Sequence, residues 1–252
     1  MKNLIINNLY IEVTRKCNMN CNHCLRGNKE NIDLNINHIN HLFDNQSLKI
    51  TKIKKLTITG GEPTLNIKAI LQTIKKIISN NIYIEHFIMV INGSTYNQTL
   101  IDGLNTFYQY YQSYYHYNSE FYLICSQDQY HKQPKKEILE KYFELPYFKS
   151  NYVNLTKEQI LNVGNAKTNN LGNDYSYQET MLYLEYYKDN NYPNIFIENE
   201  NIKLDELYLS SKGLYSFHII DVPFKQIDEL CIYNIDQMNY QILKTNYTKR
   251  KH

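Results

Sequence analysis

Three cysteines stand close together, Cys17, Cys21 and Cys24, in a CxxxCxxC spacing. Thiolates are soft ligands that select zinc and iron–sulfur centres. Clusters held by protein alone usually take four cysteines, whereas metal sites that do chemistry keep one position open for a reactant. Three thiolates on one short loop can hold three corners of a four-iron cluster and leave the fourth iron without a protein ligand. The competing arrangement is a closed zinc site completed by His23. Zinc favours four ligands in a tetrahedron, and His23, directly beside Cys24, is badly placed to close one.

A second stretch, Ile58-Thr59-Gly60-Gly61-Glu62-Pro63-Thr64, closes an apolar run that begins at Ile53. Two glycines let a backbone bend sharply and approach a ligand with no Cβ in the way. Pro63 stiffens the turn and suits the first position of a helix.

CNMNCNHC followed by TGGEPT resembles the radical S-adenosylmethionine (radical SAM) superfamily. The two motifs cover about two dozen positions, and a strand–helix rhythm extends the likeness over most of the chain. The resemblance implies one [4Fe-4S] cluster on Cys17, Cys21 and Cys24. Its open iron would be chelated by S-adenosylmethionine, which is cleaved reductively to a 5′-deoxyadenosyl radical that takes hydrogen from a substrate. It also implies a reductant such as flavodoxin or ferredoxin, and oxygen sensitivity. Gly60, Gly61, Glu62 and Pro63 match the turn that meets the methionyl amino group. His23 stands where the family commonly places an aromatic residue near the adenine. Ser126 and Asp128 follow strand four, where the family often places polar residues against the ribose or the methionyl carboxylate, although Asp128 could equally cap the helix after Pro134 or brace its loop; Asn92, at the end of strand three, is a further cofactor-binding candidate. Asn165, in Gly164-Asn165-Ala166, occupies a position where relatives often carry arginine. Arg26 is a substitute cation, but its sequence context reads as a solvated surface residue.

These residues need elements to position them. Apolar spacing predicts strands over Leu9–Thr14, Ile53–Thr59, Phe87–Ile91 and Phe121–Ser126. It predicts helices over 35–43, Ile67–Ile78, Tyr96–Tyr111 and Lys135–Phe143. A fifth strand falls at Tyr152–Leu155 or Ile160–Val163, followed by a helix over Tyr175–Lys188 and a sixth strand at Ile195–Glu198. Leu207–Ser210 and Leu214–Ile220, split by Ser211-Lys212-Gly213, read as a hairpin. A helical or mixed segment over Asp228–Leu243 and a basic tail from Lys249 follow. Alternating strands and helices predict parallel βαβ units. The expected fold is α/β, a partial (β/α)6 barrel over 1–200, with a C-terminal hairpin and helical extension over 201–252. Chemistry in that architecture gathers at the carboxyl ends of strands, where all the candidate residues fall.

The remaining composition excludes more than it selects. A chain of 252 residues with formal charge +2 gives no electrostatic case for nucleic acid or membrane partners. Mean hydropathy is −0.56, the apolar runs are strand-length, and the N-terminus does not resemble a signal peptide. The expected compartment is the cytoplasm, where thiols stay reduced. Of five cysteines only Cys125 and Cys231 remain, too few for a second Cys₄ cluster; Cys125, inside an apolar strand, reads as a small buried hydrophobe. The tyrosine run from Phe107 to Tyr117 lacks interleaved Lys or Arg, so it reads as a helix face packed on the barrel and not a base-stacking surface. Tyr130-His131, in the loop after strand four, could face the substrate but reads first as solvent-exposed loop. Within the resemblance the substrate stays open among a peptide, a small molecule and a nucleobase. Activation of a glycyl radical protein, a non-catalytic electron carrier or sensor, and a zinc-binding interaction module are the alternatives.

Overall fold

The computed structural model describes residues 2–114, 119–173, 195–198, 201–215 and Phe224. One eight-stranded sheet organises them, in the order β5-β4-β3-β2-β1-β7-β6, with β8 paired to β7. The strands are β1 (Lys2–Thr14), β2 (Leu48–Gly60), β3 (Tyr83–Ile91), β4 (Glu120–Asp128), β5 (Phe148–Val153), β6 (Ile195–Glu198), β7 (Asn201–Ser210) and β8 (Gly213–Tyr215). Those from β5 through β1 to β7 run parallel. Among the described residues the sheet does not close, so the fold is a partial barrel. No helix among the described residues is long and apolar enough to cross a membrane.

β1 sits between β2 and β7, and its second half is buried on both faces, from Leu9 to Thr14. A strand covered on both faces leaves no position to solvent, so Tyr10, Glu12 and Thr14 are buried as well as Leu9, Ile11 and Val13. Helices α1 (Ile36–Phe43), α2 (Ile67–Ser79) and α3 (Gln98–Gln112) follow β1, β2 and β3. Each is capped by an asparagine side chain that accepts from a first-turn amide: Asn35 from Asn37, Asn66 from Ala69, Asn97 from Leu100. The asparagine-rich composition thus supplies the helix starts. α2 buries Ala69, Ile70, Ile74 and Ile77 at helical spacing. The tyrosine-rich end of α3 packs on the sheet as its spacing implied: Phe107, Tyr108 and Tyr111 meet the Phe121 ring at 5.1–5.5 Å. Tyr111 donates to the Glu85 carbonyl as well. α4 (Lys136–Phe143) and the short α5 (Gly164–Thr168) complete the described helices.

Four expectations need correction. The first two strands begin earlier than the apolar runs suggested. Asn7 and Asn8 bond Asp205 of β7 across the sheet and are carried inside β1, and β2 pairs with it from Lys2↔Leu48 onward. Strand five is Phe148–Val153, whereas Ile160–Val163 makes only an isolated bridge from Leu161 to Asn173. β6 runs antiparallel to β7 and is not a sixth parallel strand. The hairpin is present from Ser210 to Gly213, but its first strand also pairs in parallel with β1, from Asn3↔Asn201 to Ile11↔Leu209. The expected helix over 175–188, the segment over 228–243, the basic tail and Cys231 lie outside the described residues.

Candidate metal centre

The loop that leaves β1 carries Cys17, Cys21 and Cys24, and it is held at both ends. At the start, Thr14 Oγ1 donates to Asp33 Oδ1 at 2.6 Å and accepts from the Lys16 amide. At the far end, the Cys24 carbonyl accepts from the Gly27 amide at 3.2 Å and the Asn165 amide at 2.9 Å. The Asn165 side chain adds a bond to the Cys21 carbonyl at 3.2 Å. Gly164 makes this approach possible: its φ is +55°, and a Cβ there would lie 2.6 Å from the Cys24 carbonyl oxygen.

The glycine turn after β2 lies against the same loop. The Gly61 amide donates to the Thr14 carbonyl and the Glu62 amide to the Lys16 carbonyl, both at 2.8 Å. A Cβ on Gly60 would stand 2.4 Å from the Thr14 oxygen, and one on Gly61 2.4 Å from the Lys16 oxygen. Both residues must therefore lack a side chain for the strand end and the loop to meet. The three cysteines, Gly60, Gly61 and Asn165 line one cavity of about 100 Å³.

All three thiols are half-buried. Burial pushes the Cys21 thiol up to about 12, helped by the neighbouring Cys24 and Cys17 thiols and by Asp128. Cys17 is raised chiefly by burial, against a hydrogen bond from the Met19 amide, with Glu62 raising it further. Thiolates gathered this closely need a positive centre among them, since ligation requires them deprotonated.

Glu62 is almost wholly buried, and burial raises its carboxyl from its usual range. Its Oε1 accepts from the Thr64 amide at 3.1 Å and hydroxyl at 2.6 Å, and its Oε2 accepts from the Asn92 amide at 2.7 Å. The glutamate thus struts the β2 turn against the end of β3. Pro63 opens a 3₁₀ turn over Pro63–Asn66. Asn92 in turn reaches Asn18 of the cysteine loop at 2.8 Å. The glycine turn, the end of β3 and the loop form one hydrogen-bonded unit.

Residues 9–114 match the family model of a 4Fe-4S single cluster domain. The matched stretch runs from β1 to α3 and so contains the three cysteines, the glycine turn and Asn92. A stretch of 62 residues is 37% identical to the uncharacterized protein MJ0907 of Methanocaldococcus jannaschii, covering 25% of this chain and 21% of that protein. Two solved structures are similar over most of this chain, each with a TM-score of 0.43. Streptococcus suis SuiB bound to precursor peptide SuiA is 11% identical, over 95% of this chain and 64% of that one. Histidine-tagged anSMEcpe with bound AdoMet is 10% identical, over 96% of this chain and 82% of that one.

Beyond the matched stretch, β4 brings a second group to the loop. Asp128 Oδ1 accepts from the amides of Tyr130 and His131, and Oδ2 faces His131 Nδ1 at 2.6 Å and His23 Nε2 at 3.3 Å. His23 stacks on Tyr130 with centroids 5.0 Å apart. Burial lowers the His23 pKa, against the pull of Asp128. Asp128 therefore braces its own loop and ties it to the residue before Cys24. The donor atoms of His23, Asp128 and His131 lie within 4.8 Å of one another, a spacing that could also accept a metal ion. Ser126 lies half-buried on β4 opposite Asn151. His131 is mostly covered and bonded to Asp128, contrary to the exposed loop expected of it.

Arg26 requires the largest correction. It is 6% exposed, not a solvated surface residue, and it lines the cavity with the cysteines. Sequence reading also passed over Glu12, Arg15, Tyr208 and Phe224, which pack around it. Arg15 is fully buried and donates to Glu12 at 2.7 Å and Glu30 at 3.1 Å. Tyr208 donates to the other Glu12 oxygen at 2.5 Å and accepts from Arg26 at 3.1 Å. The only available signal was two arginines flanking the cysteine run, and partners nearly two hundred residues away cannot be read from that.

Proposed function

We propose that the chain is a radical SAM enzyme, in which Cys17, Cys21 and Cys24 hold a [4Fe-4S] cluster with one open corner and the Gly60–Glu62 turn seats S-adenosylmethionine. The observation that supports it is the shared cavity: three half-buried thiols face a turn made of two glycines that have no room for a Cβ. Three soft donors suit an iron–sulfur cluster, and a donor set one short of closure suits a bound reactant. When bound, such a cluster supplies one electron to the sulfonium of S-adenosylmethionine, from a reductant such as flavodoxin or ferredoxin, and so prepares hydrogen abstraction from a peptide, small-molecule or nucleobase substrate.

The chain's own residues orient and enclose. Gly60 and Gly61 present bare backbone to the cavity, and Glu62 holds that backbone through Thr64 and Asn92. His23 and Asp128 border the nucleoside side, with Tyr130 and His131 behind them. Asn165 fixes the carbonyls of Cys21 and Cys24, so the thiols point from a braced loop. Asn92, Ser126 and Asp128, at the ends of β3 and β4, form the polar rim.

Anaerobic reconstitution with iron and sulfide, then dithionite and S-adenosylmethionine, tests the assignment. Release of 5′-deoxyadenosine by wild-type protein, with loss of the brown chromophore in C17A, C21A and C24A, is the expected result. A reducible cluster that never cleaves S-adenosylmethionine would make the protein an electron carrier or sensor. Bound zinc with no chromophore would make it an interaction module.

A further inference from the structure

Asp128 ends β4 as a carboxylate only 6% exposed, with no lysine or arginine in ion-pairing reach among the described residues. One of its oxygens, Oδ1, is taken up by the amides of Tyr130 and His131, at 2.8 and 3.0 Å. On the other, Oδ2, two imidazoles converge: His131 Nδ1 at 2.6 Å and His23 Nε2 at 3.3 Å. His23 comes from the cysteine loop and His131 from the turn after β4, so the cluster joins two segments of chain. Buried charges are ordinarily paired or coordinate metals, and uncharged imidazoles supply only dipoles.

The rings are held from the side. His23 stacks on Tyr130 with centroids 5.0 Å apart, and the His131 ring meets it edge-on at 4.8 Å. Gln133 donates to the Asp128 carbonyl at 2.9 Å and to the His131 carbonyl at 3.2 Å, which closes the turn that carries His131. Hydrogen bonding leaves the arrangement incomplete, because His23 Nδ1 is buried with no partner among the described residues. The three donor atoms lie within 4.8 Å of one another. Two ligands on a tetrahedral ion, each at about 2.0–2.1 Å, stand about 3.3 Å apart. That spacing is already present between His23 Nε2 and Asp128 Oδ2. None of the three residues lines the cavity of the cysteines, so they are a separate donor set.

We propose that His23 Nε2, Asp128 Oδ2 and His131 Nδ1 form a second metal site, which takes one divalent transition ion of zinc's class without using a thiol. Two imidazoles and one carboxylate suit zinc and its neighbours, whereas magnesium and calcium prefer oxygen donors alone. Three protein ligands leave a position open on the ion. When the ion binds, His131 Nδ1 moves from 2.6 Å to about 3.3 Å from Asp128 Oδ2 and the ring carries its proton on Nε2. The ion then clamps the β4 loop to the residue before Cys24. The site is independent of the cluster assignment above.

The test is anaerobic equilibrium dialysis against zinc, with bound metal counted by mass spectrometry, on wild type, H131Q, D128N and C17A/C21A/C24A. Wild type should hold about one more zinc ion per chain than H131Q or D128N, and C17A/C21A/C24A should keep that ion. H131Q should weaken its binding by more than about 100-fold, beyond the cost of losing an outer-shell partner. Zinc should raise the Tm of C17A/C21A/C24A and leave unmoved the Tm of the same protein carrying H131Q, since an ion held by the folded state stabilises it. Magnesium should do neither. Equal zinc counts in wild type and H131Q overturn the proposal, and so does a folded C17A/C21A/C24A that holds no zinc; both results leave the cluster reading intact. Should C17A/C21A/C24A or D128N fail to fold, reconstituted wild type and reconstituted H131Q decide the matter, because iron then occupies the thiols and H131Q keeps Asp128 in place. Protein that forms no cluster overturns the cluster reading alone, and the zinc difference between wild type and H131Q still stands as the measure of this site.

Discussion

Replacing Gly61 by alanine inserts one methyl group where the structure has no volume for it. The new Cβ would sit 2.4 Å from the Lys16 carbonyl oxygen, 2.8 Å from the Lys16 carbonyl carbon and 3.0 Å from the Arg15 oxygen. All three are backbone atoms of the segment that delivers Cys17, so no side chain can rotate aside. Relief means moving the turn away from the loop, at about 1–3 kcal/mol for the overpacking. The same movement stretches the bonds from Gly61 to Thr14 and from Glu62 to Lys16, each contributing about 0.5–1.5 kcal/mol net. The sum is about 2–6 kcal/mol, which in a chain of this size lowers Tm by roughly 4–24 °C. Gly103 in α3 is the internal control: a Cβ there would meet only the Leu71 Cδ2 at 2.2 Å, the tip of a flexible side chain. Alanine at that position also gains about 1 kcal/mol of helix propensity. Thermal denaturation of both apo variants, with iron and sulfide content after reconstitution, gives the comparison. G61A should lose stability and cluster together, and G103A should stay within about 1 kcal/mol of wild type. A G61A protein as stable as wild type with a full iron complement would refute the claim that the glycine turn and the cysteine loop share one tightly fitted backbone seam.

Three further outcomes follow from the same geometry. Burial places the folded-state pKa of Cys21 above its ordinary value of 9.0, at about 12, so the apo fold keeps a proton that the unfolded chain gives up. That stability is fully present below about pH 9 and is lost as pH climbs toward 12; urea midpoints across this window should fall more steeply in wild type than in C21A, and parallel profiles would contradict it. Asn66 caps α2 and donates to the Val13 carbonyl at 2.7 Å, so N66A should cost about 1–3 kcal/mol, seen as a lower urea midpoint at unchanged slope. N165A removes the bond to the Cys21 carbonyl but keeps the backbone bond to Cys24; it should load a cluster normally and surrender iron to a chelator faster than wild type.

Much of the site was written in short-range patterns. Cysteine spacing and a glycine pair are local features, and each follows a strand whose apolar run is unmistakable, so the three thiols and the turn were legible in one dimension. Helices α1 and α2 were equally plain, because an amphipathic period repeats over two or more turns, whereas the aromatic content of α3 blurred its period. Strand five was misread because Phe148–Val153 is an edge strand with exposed Tyr152 and Val153, and an edge lacks the continuous apolar run that marks a buried one. Asn165 lost its expected meaning when read against an arginine, yet a short amide is what reaches the Cys21 carbonyl.

Local chemistry therefore determined the candidate centre: which thiols, on which loop, beside which bare turn. Tertiary structure decided the surroundings. Buried arginines look like surface arginines until Glu12, Tyr208 and Phe224 are brought against them, because the cost of desolvating a charge is met only by partners that folding supplies. The same holds for Asp128, whose carboxylate reads in one dimension as a cofactor contact or a loop brace and in three joins His131 to His23. The contacts from Asp128 to His23 and from Arg26 to Tyr208 span more than one hundred residues of chain, and no periodicity reaches that far.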